Sequence, residues 1–528
     1  MRRIRPVSSC QLAIVGLLLL HPATADLQAQ ETKRASLTIR ADQSGPEISR
    51  HIYGHFAEHL GRCIYDGLWV GADSPIPNTR GMRNDIIAAL RKINIPNLRW
   101  PGGCFADQYH WKNGVGPPEE RSREVNIHWG GVVEDNSFGT HEFLDFCELI
   151  GAEPYIAGNV GSGTPKEMAD WVEYMTFDGD SSLAKEREAN GRKEPWRVPF
   201  LGIGNENWGC GGNMTPEYYS DLYKRFGVYA RDWSGNTLTR VAGGPGGTRL
   251  NWLEVLAGRV KRDIQGISMH YYTLGGTWRD KLPSIDFPER DWHAVLRDAL
   301  KIDGLLEEAE KIMARHDPDG GIGLYVDEWG TWYSPFPGSN PSFLVQQNSM
   351  RDAVVAAATF NIFHDHAERV KMANIAQLVN VLQALILTEG DKMILTPTYH
   401  VFDMYQVHHD TTYVPLDLIT DKYSFDGGDA LPALSASASR DSEGRMHISL
   451  VNLDPNVAMD VEARIEGWAF SSVSGSILTA NTMDAHNTAD APNQVQPAKF
   501  TGATLGEESL KLRLPAKSVV VLMLTGAR

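Results

Sequence analysis

The sequence predicts an α/β protein in which a closed (β/α)8 TIM barrel is followed by an all-β sandwich of jelly-roll type. Two observations support this fold class. Eight short apolar runs alternate with amphipathic helical segments between His51 and Val381, and eight strand–helix units are the number that closes a parallel barrel. Beyond about Tyr405, short alternating runs are divided by Gly, Pro, Asn and Ser, which is typical of an antiparallel sandwich.

The eight apolar runs are the predicted barrel strands. In chain order they are HIYGHFAEH from His51, IPNLRWPGG from Ile95, EPYIAGN from Glu153, VPFLGIGNEN from Val198, TRVAGGP from Thr239, GISMHYY from Gly266, GIGLYVDEWG from Gly321 and ANIAQLVNV from Ala373. Segments between them, such as MRNDIIAALRKI, repeat their apolar residues at helical spacing. An open doubly wound sheet is the alternative, but the glycine fingerprint of a dinucleotide-binding sheet is missing from the first turn.

The pattern divides the chain into four segments. Residues 1–25 combine a basic start, the apolar run Leu12–Leu20 and the small residues Ala23-Thr24-Ala25, which is typical of a secretory signal peptide. Cleavage as late as Gln30 is an alternative. Residues 26–45 are predicted to add a strand to the sandwich, residues 46–405 to form the barrel and residues 406–528 to form the sandwich. The protein is therefore expected to be secreted or periplasmic.

Composition limits the partners of the exported chain. A net charge of −16 over 528 residues repels phosphate backbones, so we expect no nucleic acid partner. No segment after the predicted cleavage site is apolar enough to anchor the protein in a membrane. Four of the five cysteines would remain: Cys63, Cys104, Cys147 and Cys210. In an oxidising compartment they could form two disulfides, and the spacing leaves their pairing open.

Polar side chains follow the predicted strands at their carboxyl ends, where a closed parallel barrel places its chemistry. Carboxylates and neutral hydrogen-bonding groups dominate, tryptophans are frequent near by, and no phosphate-binding loop or lysine cluster occurs. This composition is typical of a sugar-binding site. The residues at these positions are Glu58, Cys104, Asn159, Asn205, Glu206, His270, Tyr272, Asp327, Glu328 and Gln377.

Two glutamates end opposite strands of this barrel, Glu206 the fourth and Glu328 the seventh. Cleavage of a glycosidic bond needs two carboxyl groups, one that protonates the leaving oxygen and one that attacks or activates water. Asn205, beside the acid, can hydrogen-bond the 2-hydroxyl of the sugar as charge develops. Both catalytic roles are filled by carboxyl groups, so we expect no metal and no cofactor.

Several motifs together resemble glycoside hydrolase family 51, the α-L-arabinofuranosidases. They are YGHFAEHLGRCIYDGLWVG, RWPGGCFADQYHWKNGVGP, FGTHEFLDFC, GNENWGCGG and YVDEWGTWY, between Tyr53 and Tyr333. The resemblance implies a retaining double displacement by an exo-acting enzyme that releases arabinofuranosyl residues from arabinan- or arabinoxylan-type glycans. It also suggests a homo-oligomer.

The resemblance assigns roles by motif position. Glu206 would be the acid/base and Glu328 the nucleophile. The implied substrate-binding residues are Glu58, Cys104, Trp129, Asn205, His270, Tyr272, Trp332 and Gln377, with Tyr272 holding the nucleophile. For Cys104 a disulfide remains an open alternative to a role in the sugar subsite.

Three other functions compete with this prediction. A related enzyme of the same family could cleave β-glucan or xylosides. HFAEH, residues 55–59, matches the H-x-x-E-H pattern of zinc peptidases, but that chemistry needs a helix, and Gly54 and Gly61 flank a predicted strand end. A carbohydrate-binding protein that lost its chemistry commonly lacks one of the two carboxylates, and both are present here.

Overall fold

The eight apolar runs form a closed parallel barrel in the computed structural model, which describes residues 32–260, 264–506 and 509–526. The predicted fold class is confirmed. Each strand pairs with the next along the chain, and the eighth pairs with the first. We number these barrel strands one to eight: Gly54–Phe56, Asn97–Trp100, Glu153–Gly158, Phe200–Ile203, Thr239–Ala242, Gly266–Thr273, Gly323–Thr331 and Val370–Ala376.

The barrel closes at Gly54, where strand one meets its two neighbours. Asn374 of strand eight donates hydrogen bonds to the His55 carbonyl at 2.7 Å and to Asn97 Oδ1 of strand two at 2.6 Å. A Cβ atom at Gly54 would lie 2.6 Å from the Asn97 amide. Glycine is therefore required where two side-chain amides cross the first strand.

Helices cover the outside of the barrel. The described α-helices are Asn84–Lys92, Thr140–Ile150, Pro165–Thr176, Ser182–Ala189, Pro216–Gly227, Asn251–Val260, Glu289–Ala299, Lys301–His316, Met350–Asp365 and Pro397–Tyr405. Short 3-10 helices lie at Arg50–Tyr53, Cys104–Asp107, Trp111–Gly114, Pro118–Glu120, Pro341–Phe343 and Gln406–His408. Thr164, Thr215 and Thr396 each cap a helix that has proline in its first turn, an arrangement that satisfies a free amide and fixes the first helical φ.

The sandwich has two sheets, and the N-terminal strand Thr32–Arg40 belongs to one of them. That strand runs antiparallel to Leu416–Thr420 and parallel to Ala458–Glu466, and the same sheet continues through Ser509–Leu514 to Ala503–Leu505. The second sheet has the order Glu47–Ile48, Thr411–Tyr413, Leu434–Arg440, Met446–Asn452, Ser518–Gly526, Phe470–Leu478 and Ala498–Lys499. Four hairpins complete the strands: Asn78–Thr79 with Met82–Arg83, Glu124–Val125 with Val133–Glu134, Ile386–Glu389 with Lys392–Leu395, and Lys422–Tyr423 with Leu431–Pro432.

Among the described residues, no helix combines the length and the apolar character that crossing a membrane requires. The predicted signal segment, residues 1–25 with its alternative end at residue 30, lies outside the described residues.

Buried histidines join the barrel to the sandwich. His364, in the helix before strand eight, bonds Tyr53 Oη at 2.6 Å and Ser437 Oγ at 2.8 Å. His408 bonds Ser439 Oγ at 2.8 Å and Ser449 Oγ at 2.5 Å. Burial lowers the pKa of His364 to about 3 and that of His408 well below its ordinary value. Both imidazoles are therefore neutral in the folded protein.

The neutral histidines make stability depend on pH. In the unfolded chain each imidazole titrates near its ordinary pKa of about 6.5, whereas in the fold it stays neutral well below that pH. The unfolded state thus binds more protons below about pH 6.5, and each histidine lowers the free energy of unfolding by up to about 1.4 kcal/mol per pH unit as the pH falls. We predict that His408→Gln loses less stability between pH 7 and pH 5 than the wild type.

Urea unfolding followed by tryptophan fluorescence at both pH values measures this difference. Buried carboxyl groups also titrate between pH 5 and pH 7 and change the stability of every variant. The test is therefore the difference between His408→Gln and the wild type in the change of the free energy of unfolding. His486→Gln, at a half-buried histidine in the loop after Phe470–Leu478, serves as the matched control and should follow the wild type. An identical pH dependence in His408→Gln and the wild type would contradict the prediction.

Candidate active site

A cavity of about 890 Å³ opens at the carboxyl ends of the barrel strands. Nine of the ten predicted site residues line it, so the fold brings together side chains from all but two of the strand ends. They are Glu58, Cys104, Trp129, Glu206, His270, Tyr272, Glu328, Trp332 and Gln377. The tenth, Asn205, is buried directly before Glu206.

Glu206 lies in a turn with unusual backbone geometry directly after strand four. Gly204 has φ +87° and Glu206 itself has φ +41°, a left-handed conformation that costs a side-chain-bearing residue about 1–3 kcal/mol. Asn207 stabilises the turn because its side-chain amide donates to the Gly211 carbonyl at 2.8 Å. The Glu206 carboxylate bonds His270 Nδ1 at 2.9 Å, and its other oxygen lies 3.5 Å from Cys210 Sγ.

Glu328 is held at both oxygens within strand seven. Arg99 Nη1 donates to Oε1 at 2.9 Å, and Tyr272 Oη donates to Oε2 at 2.8 Å. The side chain of Glu328 is 7% exposed, against 17% for Glu206. The two glutamates therefore differ: one is anchored and deep in the cavity, and the other is more open to solvent.

The two carboxyl groups face each other across His270. One oxygen of Glu206, one nitrogen of His270 and one oxygen of Glu328 all lie within 4.8 Å of one another. Carboxyl groups about 5–5.5 Å apart are typical of retaining glycosidases, whereas inverting enzymes need about 6.5–9.5 Å to admit water. The nearest oxygens of Glu206 and Glu328 are no more than 4.8 Å apart.

A charged layer supports both glutamates from below. Arg99, 1% exposed, contacts Glu328 and also donates to Asn205 Oδ1 at 2.5 Å, and its Nε lies 3.6 Å from Asp327. Asp327 accepts hydrogen bonds from Tyr155 Oη at 2.7 Å and Ser268 Oγ at 2.5 Å. Burial favours the neutral acid, but the Arg99 charge and the contact with His270 lower the pKa of Asp327 to about 2.

His270 is a cation in this layer. Its Nδ1 bonds Glu206, and its Nε2 lies 3.3 Å from Asp327 Oδ1. Burial alone would lower the pKa of His270, but the Glu328, Asp327 and Glu206 carboxylates raise it to about 10. The imidazolium therefore compensates negative charge between the two glutamates.

Glu58 and its neighbours form the far wall of the cavity. Glu58 Oε1 accepts hydrogen bonds from Trp129 Nε1 at 2.9 Å and from the Phe105 amide at 3.1 Å, and Oε2 accepts one from Gln377 Nε2 at 3.1 Å. Burial, reinforced by the Glu328 charge, raises the pKa of Glu58 to about 7. Gln377 Oε1 and Asn205 Nδ2 are buried without a protein partner. Both atoms are therefore available for a hydrogen bond to a bound molecule or to water.

Aromatic side chains line the mouth of the cavity. Trp332 packs edge-on against Tyr272 at 4.9 Å and against Trp278 at 5.2 Å between ring centroids, and Trp278 is 58% exposed. In the loops after strands four and five, the Arg249 guanidinium lies 4.2 Å from the Trp208 ring. Flat apolar surfaces beside polar groups suit a carbohydrate.

The sequence prediction missed several residues that help to form the site. Arg99 lies in RWPGG at the end of strand two. An arginine within an apolar strand is unusual, and this feature of the sequence could have identified it as a site residue. Asp107 accepts hydrogen bonds from the Val160, Gly161 and Asn205 amides at 2.7, 2.7 and 2.8 Å, which joins the loops after strands two, three and four. Trp278 lies in a polar loop that gives no sequence signal.

Cys104 forms a disulfide with Cys210, 106 residues along the chain. The bond joins the loop after strand two to the loop that carries Glu206. Cys104 nevertheless lines the cavity, so the two alternatives left open by the sequence are not exclusive. Cys63 and Cys147 are buried free thiols.

The HFAEH segment does not assemble a metal site. His55 is buried in the barrel with its ring 4.6 Å from Phe402, and His59 Nε2 accepts a hydrogen bond from Trp100 Nε1 at 3.2 Å. Among the residues that the structure describes, the groups able to hold a metal include neither histidine. The reason is that the chain leaves the strand after Phe56 and continues as a loop, so the segment is not the helix that would place both imidazoles one turn apart on one face.

Two family models match the chain. The α-L-arabinofuranosidase 1 domain matches residues 89–238, and the α-L-arabinofuranosidase C-terminal domain matches residues 327–518. The second match begins in barrel strand seven, one residue before Glu328, and continues through the sandwich.

Whole-chain relatives carry the same activity in their names. A Bacteroides ovatus protein named an intracellular exo-α-L-arabinofuranosidase is 48% identical over 502 residues, which are 95% of this chain and 97% of the relative. The crystal structure of the GH51 arabinofuranosidase from Xanthomonas axonopodis pv. citri matches 93% of this chain and all of its own, with 50% identity and a TM-score of 0.92. An α-L-arabinofuranosidase from Thermotoga maritima in complex with arabinose has 30% identity, a TM-score of 0.79 and coverage of 93% and 99%.

The predicted location is wrong. We expected a secreted or periplasmic protein with a signal peptide, but the Bacteroides ovatus relative, similar over 95% of this chain, is named an intracellular enzyme. The prediction failed because a basic start and a short apolar run are compositional features, and such a pattern does not by itself direct export.

The charged layer predicts a measurable coupling between Asp327 and His270. Asp327→Asn removes one of the anions that stabilise the imidazolium, and we expect the pKa of His270 to fall by at least about one pH unit. Imidazole nitrogen shifts in protein labelled with ¹⁵N-histidine, followed from pH 5 to pH 11, measure this value directly.

Asp298→Asn is the matched control, because Asp298 lies on the cavity rim and bonds backbone amides rather than His270. It should leave the titration of His270 unchanged. If Asp327→Asn left that titration unchanged as well, Asp327 would not be what keeps His270 charged.

Proposed function

The chain belongs to glycoside hydrolase family 51 and is an α-L-arabinofuranosidase, and from this premise we propose that it is a retaining, exo-acting enzyme that cleaves by double displacement. Its substrates would be the terminal α-L-arabinofuranosyl residues of arabinan- or arabinoxylan-type glycans. The observation that carries the proposal is the pair of carboxyl groups, Glu206 and Glu328, with oxygens within 4.8 Å of each other.

The environments of the two glutamates distinguish their roles. Glu328 is the proposed nucleophile, because Arg99 and Tyr272 fix both of its oxygens and leave the carboxylate only one approach, from the cavity. Glu206 is the proposed acid/base, because its greater exposure gives access first to the leaving oxygen and then to water. A general acid becomes a carboxylate once it has given up its proton, and that carboxylate must be stabilised. The His270 cation, 2.9 Å from Glu206, supplies this stabilisation.

The reaction would proceed in two displacements at the anomeric carbon. In the first, Glu206 protonates the glycosidic oxygen while a Glu328 oxygen attacks from the opposite face and forms a glycosyl ester. In the second, Glu206 accepts a proton from water, which attacks the same carbon and releases Glu328. Two inversions give overall retention.

Polar atoms without protein partners would bind the furanose. Asn205 is the proposed partner of the 2-hydroxyl, because Arg99 holds its carbonyl oxygen and leaves its amide nitrogen free. Gln377 Oε1 is likewise free, and Glu58 beside it offers a carboxyl whose pKa near 7 lets it accept or donate a hydrogen bond. Cys104, Trp129 and Trp332 would complete the subsite wall.

Chain ends are the proposed substrates, and short oligosaccharides are their proposed main source. The charged layer of Arg99 and Asp327 closes the cavity at its base, so the site admits a chain end and not the middle of a polymer. The name of the Bacteroides ovatus relative points to the cytoplasm, where an enzyme meets imported fragments. Beyond the cleaved sugar, Trp332 and the exposed Trp278 offer a surface for the next residue.

The alternatives from the sequence are less well supported. The relatives reported above are named for arabinofuranosidase activity, which favours arabinofuranosides over β-glucan or xylosides. A non-catalytic binding protein has no need for two carboxyl groups that face each other at this distance.

Exo action and retention can be tested in one experiment. We predict that proton NMR of an arabino-oligosaccharide digest shows arabinose as the first product, with its anomeric signal in the α configuration of the substrate before mutarotation. The reason is that carboxyl groups this close leave no room for water between the sugar and Glu328. β-Arabinose as the first product would exclude double displacement, and a first cleavage that yields two oligosaccharides and no free arabinose would exclude exo action.

Removal of the acid should affect substrates unequally. Glu206→Ala should lower turnover of an arabino-oligosaccharide about 10²–10⁴-fold, but should slow formation of the glycosyl-enzyme from a dinitrophenyl arabinofuranoside far less, because that leaving group needs no proton. Azide should restore turnover of the activated substrate and yield α-arabinofuranosyl azide, since it replaces water in the second displacement.

Glu328→Ala is the matched control, in which the nucleophile is removed and the acid remains. It should lose turnover on both substrates, and any azide product should have the inverted β configuration because only one displacement has occurred. The same azide configuration from both variants would refute the assignment of roles.

A further inference from the structure

The disulfide between Cys104 and Cys210 lies against the proposed acid/base, and the double displacement does not use it. Cys104 lines the cavity, and both cysteines are half-buried, as is Glu206. A small reductant or ion that enters the cavity therefore meets the disulfide at Cys104, which lines the cavity. Cys63 and Cys147 are buried elsewhere and take no part in this cluster.

The three side chains have the composition of a metal site. One sulfur of each cysteine and one oxygen of Glu206 all lie within 4.8 Å of one another. Two thiolates and a carboxylate are ligands that Zn²⁺ accepts, and three protein ligands leave the fourth tetrahedral position for water. While the two sulfurs are bonded to each other, neither is available as a thiolate.

The distance between Cys210 and Glu206 already fits such a site. Tetrahedral zinc with bonds of about 2.3 Å to sulfur and about 2.0 Å to oxygen separates those two ligand atoms by roughly 3.5 Å. Cys210 Sγ lies 3.5 Å from Glu206 Oε2. Only the two sulfurs must move apart, to roughly 3.8 Å for the same geometry. Glycines at 209, 211 and 212 flank Cys210 and ease this movement.

A second group of possible ligands, Glu206 with His270 and Glu328, is poorly suited to a cation. Both oxygens of Glu328 already accept hydrogen bonds, one from Arg99 at 2.9 Å and one from Tyr272. A cation bound to Glu328 would also be repelled by the positive charge of Arg99. A divalent ion in this cavity would therefore favour the sulfur side of Glu206.

We propose that reduction of the Cys104–Cys210 disulfide creates a Zn²⁺ site formed by the two thiolates and Glu206, and that bound zinc inhibits the enzyme. The oxidised enzyme lacks the site and is insensitive to zinc at the same concentration. Inhibition follows because the Glu206 oxygen that faces Cys210 becomes a metal ligand and no longer carries a proton.

The chemistry balances with a dithiol or a phosphine as the reductant. A dithiol supplies two electrons and two protons, which break the sulfur–sulfur bond, give two cysteine thiols and leave the reductant as its cyclic disulfide. With a phosphine, water supplies the oxygen of the phosphine oxide and the two protons. Zinc binding then releases the two thiol protons to solvent.

The full-length enzyme can be tested in its two redox states. After treatment with tris(2-carboxyethyl)phosphine and anaerobic desalting, alkylation and mass spectrometry should show two more modified cysteines, at 104 and 210. Titration with Co²⁺ should then produce sulfur-to-cobalt charge-transfer absorption in the reduced enzyme and not in the oxidised one, and Zn²⁺ should abolish it. The Zn²⁺ concentration for half-inhibition should be at least about tenfold lower for the reduced enzyme, with recovery on addition of EDTA.

Variants separate this cluster from the remaining thiols. Cys210→Ser removes a ligand and should abolish the charge-transfer absorption, whereas Cys147→Ala should preserve it. If Cys210→Ser does not fold, the comparison of oxidised and reduced wild type decides the question alone. A disulfide that resists reduction in the folded enzyme, or equal zinc sensitivity in both redox states, would overturn the proposal.

The inhibition rests on the proposed role of Glu206, whereas the metal site does not. Charge-transfer absorption with undiminished turnover would support the site and refute Glu206 as the proton donor. Inhibition of the reduced enzyme without that absorption would place zinc elsewhere and overturn the site.

Discussion

The buried Arg99 guanidinium is the interaction on which the site depends. It contacts Glu328 and Asn205 directly and lies 3.6 Å from Asp327, so a single cation from strand two links side chains that follow strands four and seven. Burying two carboxylates beneath a cavity is costly unless cations compensate them, and removing one partner of such a network typically costs about 3–5 kcal/mol. The Phe56 ring, 4.7 Å from the guanidinium, completes its apolar surroundings.

The second cation, His270, compensates the carboxylates that lie nearer the cavity. It lies between Glu206 and Asp327, so that negative and positive groups alternate from the base of the barrel to the cavity. This alternation surrounds the two glutamates with different contacts. Glu328 is fixed by two donors, Arg99 and Tyr272, while Glu206 sits in a strained turn and is more exposed to the cavity. Differences in contact, rather than in residue type, distinguish the two glutamates.

The strained turn at Glu206 is stabilised by contacts between neighbouring loops. Asp107 collects three backbone amides from two loops, Asn207 closes the turn, and the Cys104–Cys210 disulfide joins the loops after strands two and four. These contacts offset the backbone cost of the left-handed conformation. They also place a cysteine beside Glu206, with Cys210 Sγ 3.5 Å from its carboxylate.

The sequence by itself determined the architecture and the strand-end residues. Alternating and continuous apolar patterns are local features, so the strands can be read from the sequence. In a parallel barrel the functional residues lie at the carboxyl ends of the strands, and this rule identified Glu206, Glu328, Tyr272 and Gln377. Only the tertiary structure decided which of these side chains touch. Arg99 is one arginine among many until closure of the barrel places it below two carboxylates, and the pairing of Cys104 with Cys210 depends on loops 106 residues apart. Contacts between distant segments are set by packing and burial, which leave no local pattern in the chain.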